Sequence, residues 1–177
     1  MQAIGISDNV EYQKMCQEII SENDELAEAI YSAGRNIIRG TEEKDSLHSN
    51  SSNSIILGGA GDDEIKAHGT DVIIIGGKGN DKLYGSRGDD ANYYGEYDGT
   101  EKVTYVWNMG DGNDTIKNAS NIERAKETPG KAYLRMGSGI TLENLKFIRN
   151  NSENAYIRNI ETGEEITIEN WFKEDVF

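Results

Sequence analysis

Asp45, Asp63 and Asp81 stand eighteen residues apart, and the last two end the strings GGAGDD and GGKGND. A carboxylate at the end of such a string suits one kind of chemistry. Glycines at the first, second and fourth places admit positive φ and leave no Cβ in the way, so backbone carbonyls can converge beside the acid. Carbonyl and carboxylate oxygens are the ligands of a hard cation, and Ca²⁺ accepts ~6–8 of them in flexible geometry.

Other chemistries fit these residues less well. The two histidines, His48 and His68, have no cysteine partner of the kind a zinc site uses, and both read as solvated turn residues. The glycine strings lack the Lys-Ser/Thr ending of a phosphate-binding loop. Asp62 and Asp63 could suggest a glycosidase pair, but their fixed place in a repeat favours ligand and turn roles. No nucleophile stands with a base, so a non-catalytic chain is expected.

The elements that must position the acids follow a period of nine. Residues 40–93 divide into GTEEKDSLH, SNSSNSIIL, GGAGDDEIK, AHGTDVIII, GGKGNDKLY and GSRGDDANY in one unbroken frame. The last three residues of each segment read as a short strand. Its eighth place points inward and holds Leu47, Ile56, Ile65, Ile74, Leu83 and then Asn92. Val72 to Ile75 is a β-branched run, a buried strand by pattern.

The third and fifth segments are near-perfect copies of G-G-x-G-x-D-x-U-x, with U a large aliphatic, and here the chain resembles the repeats-in-toxin (RTX), or haemolysin-type, calcium-binding repeats. The resemblance implies a parallel β-roll in which two nonapeptides make one turn and ions lie between repeats eighteen residues apart. It implies one site from Gly59, Gly61 and Asp63 with Gly76, Lys78 and Asp81. A weaker neighbour uses Thr41, Glu43 and Asp45 with Gly58, Ala60 and Asp63, so that Asp63 bridges two ions. The same positions add Gly77, Gly79, Ser86, Gly88 and Asp90 to the candidate ligands. On the second edge the sixth positions are Ser54, Val72 and Asp90, so a site there requires Asp90 to pair forward with Asp114 or another acid. Self-cleaving relatives cut at Asp-Pro, whereas the single proline here, Pro129, follows Thr128.

Beyond Tyr93 the frame slips. YGEYDGTEK reads as a turn-rich insertion or a degenerate repeat, and 104–107 as a strand. GDGNDTI at 110–116 is another calcium-turn pattern. Together with residues 137–172 it resembles the haemolysin-type calcium-binding-related domain that follows such repeats. That resemblance implies a β extension with strands near 133–136, 145–148, 155–160 and 165–168, and Ile166, Ile168 and Trp171 in its core.

Residues 8–39 read instead as an amphipathic helix, or two broken near 21–24. Asp8 and Glu11 suit a capping box, and apolar or small residues recur at Tyr12, Cys16, Ile19, Leu26, Ile30, Ala33 and Ile37. Such a face serves either as a heptad seam with Asn23 in it or as a cap on an open end of the roll. Tyr12, Cys16 and Ala33 make a poor seam, which favours the cap and a monomer.

Composition bounds the rest. The formal net charge of −14 argues against nucleic acid. Acidic turns repel one another until cations arrive. One cysteine excludes an internal disulfide framework. No apolar run of ~20 residues suggests a membrane span, and the acidic start lacks the apolar core of a signal peptide.

The expected architecture is therefore mainly β. A helical cap at 1–39 leads into a calcium-binding β-roll with its insertion at 40–103, then a β extension at 104–177. The expected function is a calcium-driven folding module without enzymatic activity. The resemblance implies a protein secreted by type I machinery, a toxin, adhesin or enzyme. A carbohydrate- or surface-binding module is the alternative, with Tyr84, Tyr93, Tyr94 and Tyr97 as its candidate aromatics.

Overall fold

In the computed structural model, residues 35–85, 102–118, 131–137, 139–150 and 153–171 are described. Their strands alternate between two layers, because each glycine-rich turn reverses the chain and sends the next strand back across the other layer. One sheet takes β1 (Asn36–Arg39), β3 (Ser54–Ala60), β5 (Val72–Lys78), β7 (Lys102–Trp107) and β9 (Lys131–Met136) in that order. The second takes β2 (Ser46–Ser49), β4 (Glu64–Ala67), β6 (Lys82–Gly85) and β8 (Asp114–Asn118), and continues with β12 (Glu165–Ile168), β11 (Ala155–Asn159) and β10 (Leu145–Arg149).

Pairing within the roll is parallel, and its register is the nine-residue frame doubled. Ile56 lies beside Ile74, and Leu47 beside Ile65 beside Leu83. The eighth-place residues Ile56, Ile65, Ile74 and Leu83 are buried and share one core with Val103, Tyr105, Trp107, Ile116 and Ile166. Asn92, expected to end this stack, lies outside the described residues.

The two sheets differ on their outer faces. The first sheet's alternate residues Ile55, Leu57, Ile73, Ile75 and Val106 are buried as well. A sheet apolar on both faces is what a continuous run such as VIII encodes. In the second sheet β4 and β6 alternate buried and part-exposed residues, and β4 presents Glu64 and Lys66, paired at 2.8 Å, to solvent.

Three expectations change. The helix does not reach Arg39, since Asn36–Arg39 is strand β1. Ile38 packs against the core, eighteen positions before Ile56, and a β-branched pair satisfies the helical period and the strand period equally well. The remainder of the expected helix lies outside the described residues, which include no α-helix. Nor does the roll stop at 103. That boundary falls inside β7, and β7 and β8 pair in register with β5 and β6.

Trp171 is the third. Expected in the core of the extension, it is 62% exposed, while Ile166 is buried. It lines an apolar groove of about 510 Å³ with Tyr133, Leu134, Leu145 and Phe147. The groove lies where the layers part: among the described residues the second sheet runs three strands past β8 and the first one past β7. The extension's strands otherwise fall where the apolar alternation places them. β10, β11 and β12 form an antiparallel meander whose last strand joins β8 in parallel.

Candidate metal centre

Four turns stack along one edge of the roll: residues 40–45, 58–63, 76–81 and 108–114. Each links a strand of the first sheet to one of the second. Successive turns approach until backbone touches backbone. A Cβ on Gly77 would stand on Gly59 O, and one on Gly79 on Gly61 O. Both glycines have positive φ, +95° and +141°, so the approach and the turn each require the missing side chain.

The carboxylates form a ladder down this edge. Asp45 N–H donates to Asp63 Oδ1 at 2.8 Å, Asp63 N–H to Asp81 Oδ1 at 2.8 Å, and Asp81 N–H to Asp114 Oδ1 at 2.9 Å. One oxygen of Asp63, of Asp81 and of Asp114 is thus tied to the turn before it. The other points elsewhere. Oδ2 of Asp63 and of Asp81 are buried and accept no hydrogen bond.

A buried carboxylate oxygen without a donor is costly unless a cation meets it. Asp63 Oδ2 and the carbonyl oxygen of Gly76 both lie where a Cβ on Gly58 would stand, and Asp45 Oδ2 and Gly58 O converge in the same way beside Gly40. Carboxylate and carbonyl oxygens gathered at one point, with no hydrogen-bond donor on Asp63 Oδ2, form the donor set that Ca²⁺ accepts. The residues fit the ion.

The electrostatics agree. Burial pushes the Asp81 carboxyl up to about 6, and the charge of Asp63 pushes the same way. Burial raises Asp114 further, to about 8, with Asp81, Asp111 and Glu164 adding repulsion. Burial also raises Asp63, against the pull of the Asp45 N–H. Such a column holds its full charge only beside a positive ion.

A family model for the RTX calcium-binding nonapeptide repeat, in four copies, matches residues 31–65 and 73–91. This chain carries RTX calcium-binding repeats. RTX nonapeptide repeats bind Ca²⁺, and the edge just described is where these turns gather their oxygens. The match begins nine residues before the frame read from Gly40, in keeping with strand β1. No curated protein matches the chain.

The RTX turns bring together most of the expected ligands. Thr41, Glu43, Asp45, Gly58, Gly59, Ala60, Gly61, Asp63, Gly76, Gly77, Lys78, Gly79 and Asp81 all lie in the first three turns. Thr41 also supplies a hydroxyl donor that the glycines elsewhere lack. Its N–H and Oγ1 bond to Asp45 Oδ2 at 2.6 and 2.8 Å. Ser86, Gly88 and Asp90 lie outside the described residues.

Asp114 is a correction. Expected on the second edge as the partner of Asp90, it stands on the first edge beneath Asp81. The two stand thirty-three positions apart rather than eighteen, and strand register is kept, with Leu83 beside Ile116. The GDGNDTI pattern was visible in sequence, but its neighbour was not.

On the described second edge the turns are tied by hydroxyls, and its one acid, Asp71, pairs with Lys102 at 3.6 Å. Thr70 N–H donates to Ser52 Oγ at 3.0 Å and Ser54 Oγ–H to Ser51 O at 2.8 Å. Hydroxyls there do the cross-turn bonding that carboxylates do on the first edge. His68, expected in solvent, is buried at this edge with its ring 4.9 Å from that of His48. Of the expected surface aromatics, Tyr84 is half-buried with the Lys66 ammonium over its ring, and Tyr93, Tyr94 and Tyr97 lie outside the described residues.

Proposed function

We propose that calcium occupies the gaps between the four stacked turns in single file, and that this binding drives the roll to fold. The observation that carries the reading is the pair of buried, unpartnered oxygens, Asp63 Oδ2 and Asp81 Oδ2, in register down one edge. In this reading Gly59, Gly61 and Asp63 meet Gly76, Lys78 and Asp81 around the central ion. Thr41, Glu43 and Asp45 meet Gly58, Ala60 and Asp63 around the first. A third ion lies between Asp81 and Asp114.

The mechanism is linkage. An ion that binds only the folded chain stabilises it by ~2.7 kcal/mol per site at a hundredfold excess over Kd. Shared carboxylates couple the sites, so the chain responds to calcium as a switch. Affinities of ~10⁻⁴–10⁻³ M suit extracellular modules, and the setting we infer is a secreted protein exported unfolded by type I machinery. Its role there is structural and non-catalytic. A circular-dichroism titration tests the reading: β signal should be lost in chelator and return in millimolar calcium. A full β spectrum in excess chelator would overturn it.

A second reading, a carbohydrate- or surface-binding module, draws on the exposed Tyr133, Phe147 and Trp171 around the apolar groove. Quenching of tryptophan fluorescence by oligosaccharides in calcium, absent from Trp171→Ala, would favour it.

A further inference from the structure

A second ladder runs beside the carboxylates in the opposite sense. Asn80 N–H donates to Asp62 Oδ1 at 2.8 Å, and Asn113 N–H donates to Asn80 Oδ1 at 3.2 Å. In the carboxylate ladder the earlier turn gives the N–H. Here the later turn gives it. The hydrogen bond from Asn80 holds the carboxyl of Asp62 below its ordinary range, and Asp62, Asn80 and Asn113 are all exposed. These side chains are therefore not buried ligands but ties between turns.

The two ladders end differently. The carboxylate ladder stops at Asp114, whose register partner on β12 is Ile166, a side chain with no acceptor. The amide ladder continues, because Glu165 N–H donates to Asn113 Oδ1 at 2.9 Å. Glu164 grips the same turn from its other side. Its Oε2 accepts from Gly110 N–H at 3.0 Å and from Thr162 Oγ1 at 2.7 Å. Glu165 also pairs with Arg158 on β11 at 2.7 Å. A line of contacts thus runs from the fourth turn through the start of β12 to β11.

We propose that Asn113 and Glu164 are positioning residues that make the fourth calcium turn and the C-terminal extension one cooperative unit, so that calcium beside Asp114 orders β11 and β12. The inference rests on the single-file reading above. Without the ion, the repelling acids Asp81, Asp111 and Asp114 displace the turn, and the acceptors for Glu165 N–H and the donor for Glu164 move with it. The backbone pairing of β8 with β12 is then left to hold the extension alone.

Amide hydrogen exchange on the whole chain, with calcium and with chelator, tests this. In wild type, calcium should protect β11 and β12 together with β3–β6. In Asn113→Ala/Glu164→Ala, which removes the acceptors for Glu165 N–H and Gly110 N–H, calcium should still protect β3–β6, while protection of β11 and β12 falls by about tenfold or more, tenfold corresponding to ~1.4 kcal/mol. Asn113→Asp alone keeps an acceptor oxygen for Glu165 N–H and should retain protection. Unchanged protection of β11 and β12 in the double variant would overturn the proposal. So would protection of those strands in chelator. Failure of wild type to take up calcium at all would instead overturn the single-file reading, and calorimetry on the same sample distinguishes that outcome.

Discussion

The backbone N–H of Asp81 donates to Oδ1 of Asp114 at 2.9 Å, although thirty-three residues separate them. Asp63 and Asp81, eighteen residues apart, make the same contact at 2.8 Å. The turn thus repeats in space where it does not repeat in sequence. Asp63 and Asp81 are interior members of the column, each with an acidic neighbour on both sides, whereas Asp45 and Asp114 end the described ladder.

Position in the column should decide the loss on mutation. In the single-file reading proposed above, Asp63→Ala removes a ligand shared by two ions and Asp45→Ala a ligand of one, so calorimetry should show a larger fall in bound calcium for the first. Equal losses would mean that the ions do not share carboxylates.

The column should also make the calcium-free fold sensitive to alkali. Asp81 and Asp114 are raised from 3.8 to about 6 and about 8 in the folded chain, so the folded state holds protons that the unfolded state has released. Their contribution is full below about pH 4 and is lost as pH rises through 6 and then 8. Chelated protein should keep more β signal at pH 5 than at pH 8, and the calcium needed for folding should rise over the same rise in pH, as the ion takes over from the lost protons. A chelated fold that strengthens with pH would contradict the buried carboxylates.

Two glycines separate crowding from strain. Gly77→Ala puts a methyl on the carbonyl of Gly59, while Gly110→Ala, at nearly the same φ, meets open space. Gly110→Ala should cost about 1–2 kcal/mol from backbone strain alone. Gly77→Ala should cost more and weaken the central ion, as measured by urea unfolding in saturating calcium.

The outer face of the first sheet gives the last contrast. Ile73 is 6% exposed there, so Ile73→Ala should lower stability by about 2–4 kcal/mol in calcium-saturated urea unfolding. Lys66, on the outer face of the second sheet, pairs with Glu64 across part-exposed surface, and Lys66→Ala should change stability by less than about 1 kcal/mol.

What the sequence alone determined is local and periodic. Glycine at fixed places dictates a turn whatever surrounds it, and an aliphatic at every ninth place dictates an inward stack. Leu47, Ile56, Ile65, Ile74 and Leu83, and the acids Asp45, Asp63 and Asp81, were legible from those two rules. Asp114 was not, because loop length does not alter strand register and only the stacking of β8 on β6 returns it to the edge. Strand β1 was hidden by residues that fit two periods, and pairing with β3 decided between them. Trp171 was misplaced because hydrophobicity predicts burial only where a second layer exists, and among the described residues the second sheet runs two strands further, β11 and β10, than the first, leaving open the groove that Trp171 lines. The amide ladder through Asn80 and Asn113 had no signature at all, since the motif leaves its fifth place free and only contact between turns makes that side chain matter.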